Sequence, residues 1–123
     1  MRSAPILLLF CFATAAYARV PGDHDSRLAK AYYQEFCASC HGAEGRGDGP
    51  TSSAFKTATL DLTRLTEKSS HSFDTRGVRA LIQKHRGESL LSADSDAEEA
   101  LSVARHRIAL IARHLESLQR ATP

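Results

Sequence analysis

Two cysteines and a histidine within five residues restrict this chain more than any other feature of its sequence. They form the segment Cys37-Ala38-Ser39-Cys40-His41, and the 123 residues contain one further cysteine, Cys11. Three cysteines are too few for a disulfide framework, whereas two thiols three positions apart can act on one bound group. The pair therefore predicts local binding chemistry rather than a cross-linked fold.

The first residues are typical of an export signal. Arg2 gives a basic start, residues 6–16 are almost all apolar or small, and Ala16-Tyr17-Ala18 offers small residues for a cut after Ala18. A membrane span needs about 20 apolar residues, and the polar sequence from Arg19 ends this run earlier. We expect residues 1–18 to be a cleaved signal peptide and residues 19–123 to be one periplasmic domain with no stable membrane span; an uncleaved N-terminal helix is the alternative.

Composition is consistent with one small globular domain. The 16 basic and 14 acidic residues leave a formal charge of +2, which gives little support for nucleic-acid binding through excess positive charge. A domain of this size buries only about two-thirds of its unfolded surface, so a bound prosthetic group would add to its core. In an oxidising compartment, a close cysteine pair is oxidised, metallated or covalently occupied.

Helical periodicity recurs along the chain, and no run alternates convincingly with a period of two. Asp25-Ser26 can cap a first helix that runs to Phe36 and into the cysteine pair. A later helix is predicted from Thr75 to Gly87, and Ser95 opens a capping box for a long C-terminal helix. The pattern predicts an all-α domain of three to five helices.

In an exported protein, Cys-x-x-Cys-His is typical of covalent haem attachment, because two thiols at this spacing reach the two vinyl groups of the porphyrin. The histidine that follows can then ligate the iron. A zinc site would need a second ligand pair, and a redox dithiol should follow a strand rather than an amphipathic helix. We predict that Cys37 and Cys40 bind one haem c and that His41 is an iron ligand, with the dithiol and zinc as the alternatives.

With the glycine-rich loop from Gly42 to Pro50, the segment Asp61-Leu62-Thr63 and the closing residues 107–119, the mature chain resembles a bacterial class I monohaem cytochrome c. The resemblance implies a small fold of three to five helices wrapped around one haem. It also implies that the glycine-rich loop wraps the proximal side and that the carbonyl of Pro50 accepts the second N–H of His41.

The same resemblance implies that the N- and C-terminal helices cross at a small residue and an aromatic. By position, Ala29 and Tyr33 of the first helix would meet Ile111 and His114 of the last. The family usually has an aromatic residue at the last of these positions.

The chain departs from this family on the distal side. The family usually supplies a methionine as the second axial ligand, but the single methionine here is Met1, which leaves with the signal. Alignment brings Leu90 to that position, and leucine cannot coordinate iron. Three arrangements remain open: five-coordinate iron covered by Leu90 and Leu91, a bis-histidine site with His85, or one with His71.

The resemblance implies an electron-transfer protein that passes single electrons between redox protein partners, as a monomer or as a subunit of a larger complex. A five-coordinate haem module that binds or senses small gaseous ligands is the alternative, and weak peroxidase activity would need His85 as its acid-base group. Four basic residues could steer an acidic partner at low salt: Arg76, Arg79, Lys84 and Arg86.

Overall fold

The computed structural model describes residues 22–70, 72–93 and 95–119, and these ranges contain no strand. The described residues form α1 (Gly22–Phe36), α2 (Ala38–His41), α3 (Thr75–Arg86) and α4 (Ala97–Ser117). Short 3-10 turns lie between them at Ser52–Ala54, Leu62–Arg64, Thr66–Lys68 and Glu88–Leu90. The predicted all-α fold is confirmed, while the predicted signal peptide and His71 lie outside the described residues. None of the helices in the described ranges has both the length and the apolar character needed to cross a membrane.

The crossing of α1 and α4 forms the centre of the core. Ala29, Tyr33 and Ile111 are each exposed by 1% or less, and the rings of Tyr33 and His114 lie 5.0 Å apart. Alanine at the crossing lets the helix backbones approach, and burial of each larger side chain contributes about 2 kcal/mol. The predicted contact between the two helices is confirmed.

The helix ends differ slightly from the predicted ones. The side chains of Asp74 and Asp96 cap α3 and α4, each accepting the backbone amide three residues further on at 2.9 Å. Thr75 and Ser95 were the predicted caps, but each has a neighbouring aspartate whose carboxylate also favours the positive end of the helix dipole. Gly87 ends α3 as predicted.

The first helix begins earlier than its capping pattern predicted. It starts at Gly22, three residues before the expected cap at Asp25. Asp23 and Asp25 therefore both lie in its first turn, where negative charge stabilises the helix.

The middle of the chain is fixed to the end of α4. A 3-10 turn follows Asp61, which caps it through its carboxylate. Gln119 donates to the carbonyl of Leu62 at 2.9 Å and accepts the amide of Thr66 at 3.1 Å. These bonds hold the mid-chain segment against α4, where it forms one wall of a cavity.

Candidate functional site

An apolar cavity of about 300 Å³ lies beside α2 and is lined by residues of the cysteine motif, the middle of the chain, α3 and α4. Cys37 and His41 contribute from the cysteine motif, and α4 contributes Ile111 and Leu115. The remaining apolar wall consists of three leucines from the middle of the chain and three residues of α3: Leu60, Leu62, Leu65, Val78, Leu81 and Ile82. Such a lining suits a ligand with a large apolar surface.

A second cleft, of about 400 Å³, adjoins this cavity and contains the other cysteine of the motif. Cys40 lines it, and His41, Leu60, His85 and Arg86 line both spaces. The two thiols of the motif therefore line two adjoining spaces, and the imidazole of His41 lines both.

The local backbone explains how the motif is presented. The amides of Cys40 and His41 both donate to the carbonyl of Cys37, at 3.2 and 2.9 Å, which closes a single helical turn. The amide of Cys37 itself donates to the carbonyl of Tyr33 at 2.9 Å, so this turn continues from α1. The Tyr33 hydroxyl donates to the carbonyl of Gly42 at 2.7 Å and fixes the other end of the motif.

The ring of His41 is held by a hydrogen bond to the backbone of a later segment. Its Nδ1 lies 3.1 Å from the carbonyl oxygen of Leu60. Because a carbonyl oxygen only accepts, Nδ1 carries the proton and Nε2 keeps a free lone pair. A hydrogen bond from the ring nitrogen that does not bind the metal fixes the tautomer of a ligating histidine and strengthens the histidine as a donor to the metal.

The structure assigns this acceptor role to Leu60 rather than to Pro50. A Cβ on Gly49 would lie 2.4 Å from the carbonyl oxygen of Ser39, and the Thr51 amide and hydroxyl donate to that same oxygen at 3.0 and 2.7 Å. Both neighbours of Pro50 are thus fixed against Ser39, and a later segment of the chain brings a carbonyl to the histidine.

The two thiols differ in their electrostatic surroundings. Burial raises the pKa of Cys37 to about 11, and the positive charge of Arg86 offsets part of this rise. The pKa of Cys40 is lowered, chiefly by a hydrogen bond with the hydroxyl of Thr51 at 3.3 Å, with Arg86 lowering it further. The Arg86 guanidinium lies 3.9 Å from the Cys40 sulfur, so a positively charged side chain lies beside this thiol.

Of the residues predicted for the distal side, His85 meets the cavity and Leu90 does not. His85 is exposed near the end of α3 and lines the cavity and the adjoining cleft. Leu90 is completely buried in the core, and its carbonyl accepts a hydrogen bond from Arg107 at 2.9 Å. Neither Leu90 nor Leu91 lines the cavity, and the apolar side chains on its α3 side are Val78, Leu81 and Ile82. Five-coordinate iron covered by Leu90 and Leu91, one of the three arrangements left open by the sequence, stays a prediction.

Sequence analysis missed the part played by Leu60. The identity of a residue does not reveal that its carbonyl acts as an acceptor, since every residue has a carbonyl. Its side chain is 47% exposed and faces the cavity, and an isolated leucine in an irregular segment gives no periodic signal.

The model of the cytochrome c family matches residues 26–107. This chain belongs to the cytochrome c family. The matched span holds most of α1, the cysteine motif and all of α3, and the family binds haem covalently and transfers electrons. No curated protein and no solved structure matches this cytochrome c.

The residues of this cytochrome c fit a covalently held haem. Cys37 and Cys40 are the thiols that thioether bonds require, His41 offers a free Nε2, and the cavity beside them is lined mainly by apolar side chains. A haem could not be held in this way if the imidazole and the thiols opened onto different faces of the fold.

Proposed function

We propose that this cytochrome c carries one haem c, attached by Cys37 and Cys40 and ligated by His41, and that it relays single electrons between redox proteins in the periplasm. The observation that carries this proposal is the position of His41 between two adjoining spaces: it lines the apolar cavity together with Cys37 and the second cleft together with Cys40. The bound haem would supply an iron that gains and loses one electron. The apolar residues of α3 and α4 would exclude water from that iron, and the half-buried position of Cys40 would keep one haem edge near the surface.

The attachment is tested by producing the full chain with cellular haem-attachment machinery and measuring colour and mass. We expect a red protein whose mass exceeds that of the mature polypeptide by one haem. Replacement of both Cys37 and Cys40 by serine should abolish the added mass, whereas Ser39→Ala, an exposed position between them, should retain it. A colourless protein with the mass of the bare polypeptide would refute the proposal.

The sixth position of the iron separates this function from a second candidate. The α3 side of the cavity presents Val78, Leu81 and Ile82, which cannot ligate iron, together with His85, which can. If His85 ligates, the site is saturated and suits electron transfer. If it does not, the apolar wall leaves a place for a small gaseous ligand such as CO or NO, and this wall is the observation that supports the second candidate.

Spectra of the reduced protein with and without CO distinguish the two. An immediate shift of the Soret band indicates an open iron, whereas an unresponsive low-spin spectrum indicates a protein ligand. His85→Ala should then convert an unresponsive protein into one that binds CO, and His106→Ala, at an exposed position on α4, should not. Low-spin character that survives His85→Ala would exclude His85 as the ligand.

We propose that redox partners approach the α3 side. Helix α3 contains four basic residues and no acidic one, and all four are exposed: Arg76, Arg79, Lys84 and Arg86. Arg86 lies beside Cys40, so this positive surface adjoins the edge at which the haem would be attached. Such a surface would speed the approach of an acidic partner and lose its effect as salt screens it.

An electrode coated with a carboxylate-terminated monolayer provides an acidic surface of defined chemistry. We expect the haem-loaded protein to adsorb at low salt and to be released as salt rises. Lys84→Glu should weaken adsorption more than Arg105→Glu, which makes the same charge change at an exposed position on α4. Equal weakening by the two variants would contradict docking through α3.

We also propose that residues 1–18 direct export and are then removed. The apolar run and the small residues around Ala18 support this proposal. N-terminal sequencing of protein recovered from the periplasm should begin at Arg19, and a chain that retains Met1 would refute cleavage.

A further inference from the structure

We infer that Gly47 is a positioning residue that holds the carbonyl of Leu60 on the His41 imidazole and so sets the donor strength of that ligand. The inference rests on the proposed role of His41 as the proximal ligand. The carbonyl that accepts the N–H of His41 thus comes from Leu60, in an irregular segment, whereas the family resemblance implied the carbonyl of Pro50.

The loop after the motif folds back onto the histidine. The amide of Gly47 donates to the carbonyl of His41 at 2.8 Å, and Gly47 has a φ of +81°, a conformation that favours glycine. This bond brings the α-carbon of Gly47 close to the segment that later supplies the acceptor.

Only a residue without a side chain allows that approach. A Cβ at Gly47 would lie 2.4 Å from the carbonyl oxygen of Thr59 and 3.5 Å from the carbonyl carbon of Leu60. The peptide group between Thr59 and Leu60 therefore rests directly on Gly47. An added methyl group would push this peptide away, because the first of these contacts is to backbone and cannot rotate aside.

The acceptor segment is held at its other end as well. The amide of Leu62 donates to the carbonyl of Gly45 at 2.7 Å, so residues 59–62 contact the glycine loop at two points. Between these points, the Leu60 carbonyl reaches Nδ1 of His41 at 3.1 Å. Displacement of residues 59 and 60 would thus lengthen this hydrogen bond while the Leu62 contact remains.

The chemical consequence concerns the strength of the axial ligand. An N–H···O=C bond to the outer nitrogen makes an imidazole a stronger donor, and a stronger donor favours the oxidised iron. Loss of this bond should therefore raise the reduction potential without changing which residue ligates the iron.

Gly47→Ala tests the inference, with Gly45→Ala as its matched control. Gly45 has a similar φ of +77°, but the nearest contact of its added Cβ would be the end of the Leu118 side chain at 3.2 Å. Both variants thus bear the same backbone strain, while only Gly47→Ala pushes on the peptide that carries the acceptor.

Two properties of the haem-loaded protein are measured: the reduction potential and the exchange rate of the His41 Nδ1 proton. The exchange rate is obtained by magnetic resonance on the reduced low-spin protein, with CO added if the iron has no sixth protein ligand. We expect Gly47→Ala to raise the potential and to speed this exchange about tenfold, while Gly45→Ala leaves both near their original values. Equal effects of the two variants, or no effect of Gly47→Ala, would overturn the inference.

A second measurement needs only the unsubstituted protein and applies even if Gly47→Ala does not fold. Histidine is isotopically labelled together with either leucine carbonyls or proline carbonyls, and the coupling across the His41 hydrogen bond is recorded. We expect a coupling to a leucine carbonyl, whereas a coupling to a proline carbonyl would overturn the inference. Protein that emerges colourless would instead count against the proposed haem attachment, so the two failures are distinguishable.

Discussion

The two sides of the cavity are held by different kinds of contact. The proximal wall, residues 37–51 and 59–62, is fixed largely by backbone hydrogen bonds and by glycines that touch other backbone. The distal wall consists of α3, and residues 87–91, which follow it, are held by side chains, among which Arg107 bonds the carbonyl of Leu90 at 2.9 Å. Backbone contacts define the position of a ligand closely, while side-chain contacts tolerate substitution. We therefore expect the position of the proximal ligand to be more strictly determined than that of any ligand on the distal side.

The largest expected effect comes from adding one methyl group to the proximal wall. Gly49→Ala would bring a Cβ to 2.4 Å from the Ser39 carbonyl oxygen, and we expect it to lower the free energy of unfolding by about 3 kcal/mol. Urea unfolding of the haem-loaded protein measures this change.

The same substitution on the distal side provides the control. In Gly77→Ala, the added Cβ meets the end of the Asp74 side chain, which can move, and the loss of part of that cap is offset by the better helix propensity of alanine. We expect a change within about 0.5 kcal/mol. Similar losses in the two variants would remove the distinction between the walls.

The next effect concerns Arg107, the main side chain that holds the distal segment. Its guanidinium bonds the Leu90 carbonyl and lies 5.5 and 5.9 Å from the ring centres of Tyr32 and Phe36. We expect Arg107→Ala to cost about 2 kcal/mol in urea unfolding. Arg105→Ala, at an exposed position on the same helix, should have almost no effect, and equal losses in the two variants would refute this role of Arg107.

A smaller effect is expected from the hydroxyl that holds the end of the motif. Tyr33→Phe removes the donor to the buried Gly42 carbonyl and should lower the free energy of unfolding by about 1 kcal/mol. Tyr32→Phe leaves that bond intact and keeps the ring beside Arg107, so it should have almost no effect. A loss in the second variant as large as in the first would show that the Gly42 bond is not responsible.

The smallest effect is a dependence on pH at the crossing of α1 and α4. Burial, with a further contribution from the charge of Lys30, lowers the pKa of His114 below its usual 6.5. The unfolded chain therefore binds the proton more readily than the folded protein. The stability contributed by neutral His114 is complete above pH 6.5 and is lost as the pH falls through the window below it.

Urea unfolding at about pH 7.5 and about pH 5.5 measures this dependence. His114→Phe should reduce it, and should also remove a buried Nε2 that has no hydrogen-bond partner in the described part of the chain. His106→Gln, at an exposed position, should leave the dependence unchanged. If His114→Phe retains the full pH dependence, another group is responsible.

The parts of the molecule that sequence predicted well depend on short-range order. A single helical turn carries Cys37, Cys40 and His41, so their spacing alone indicates that they act together. The contact of Tyr33 with His114 joins two strongly periodic helices, and the family resemblance supplied their pairing. These features need little knowledge of the rest of the fold.

The parts that sequence did not predict depend on long-range packing. Leu90 lies near His85 in sequence, and an apolar residue there is equally suited to a haem cover or to the core. Leu90 lies in the core because of the Glu88–Leu90 turn and the hydrogen bond from Arg107 to its carbonyl. The carbonyl of Leu60 reaches His41 because Gly47 admits the backbone of a later segment. Neither the burial of Leu90 nor the contact between the Leu60 carbonyl and His41 can be predicted from the fact that both residues are leucines.

The contribution of α4 to the cavity has a consequence for the order of events during biosynthesis. Cys37 and Cys40 leave the ribosome before Ile111 and Leu115, which complete the cavity. The thiols are thus available before there is an enclosed pocket to obstruct their modification. Closure by the C-terminal helix would then trap whatever has been attached.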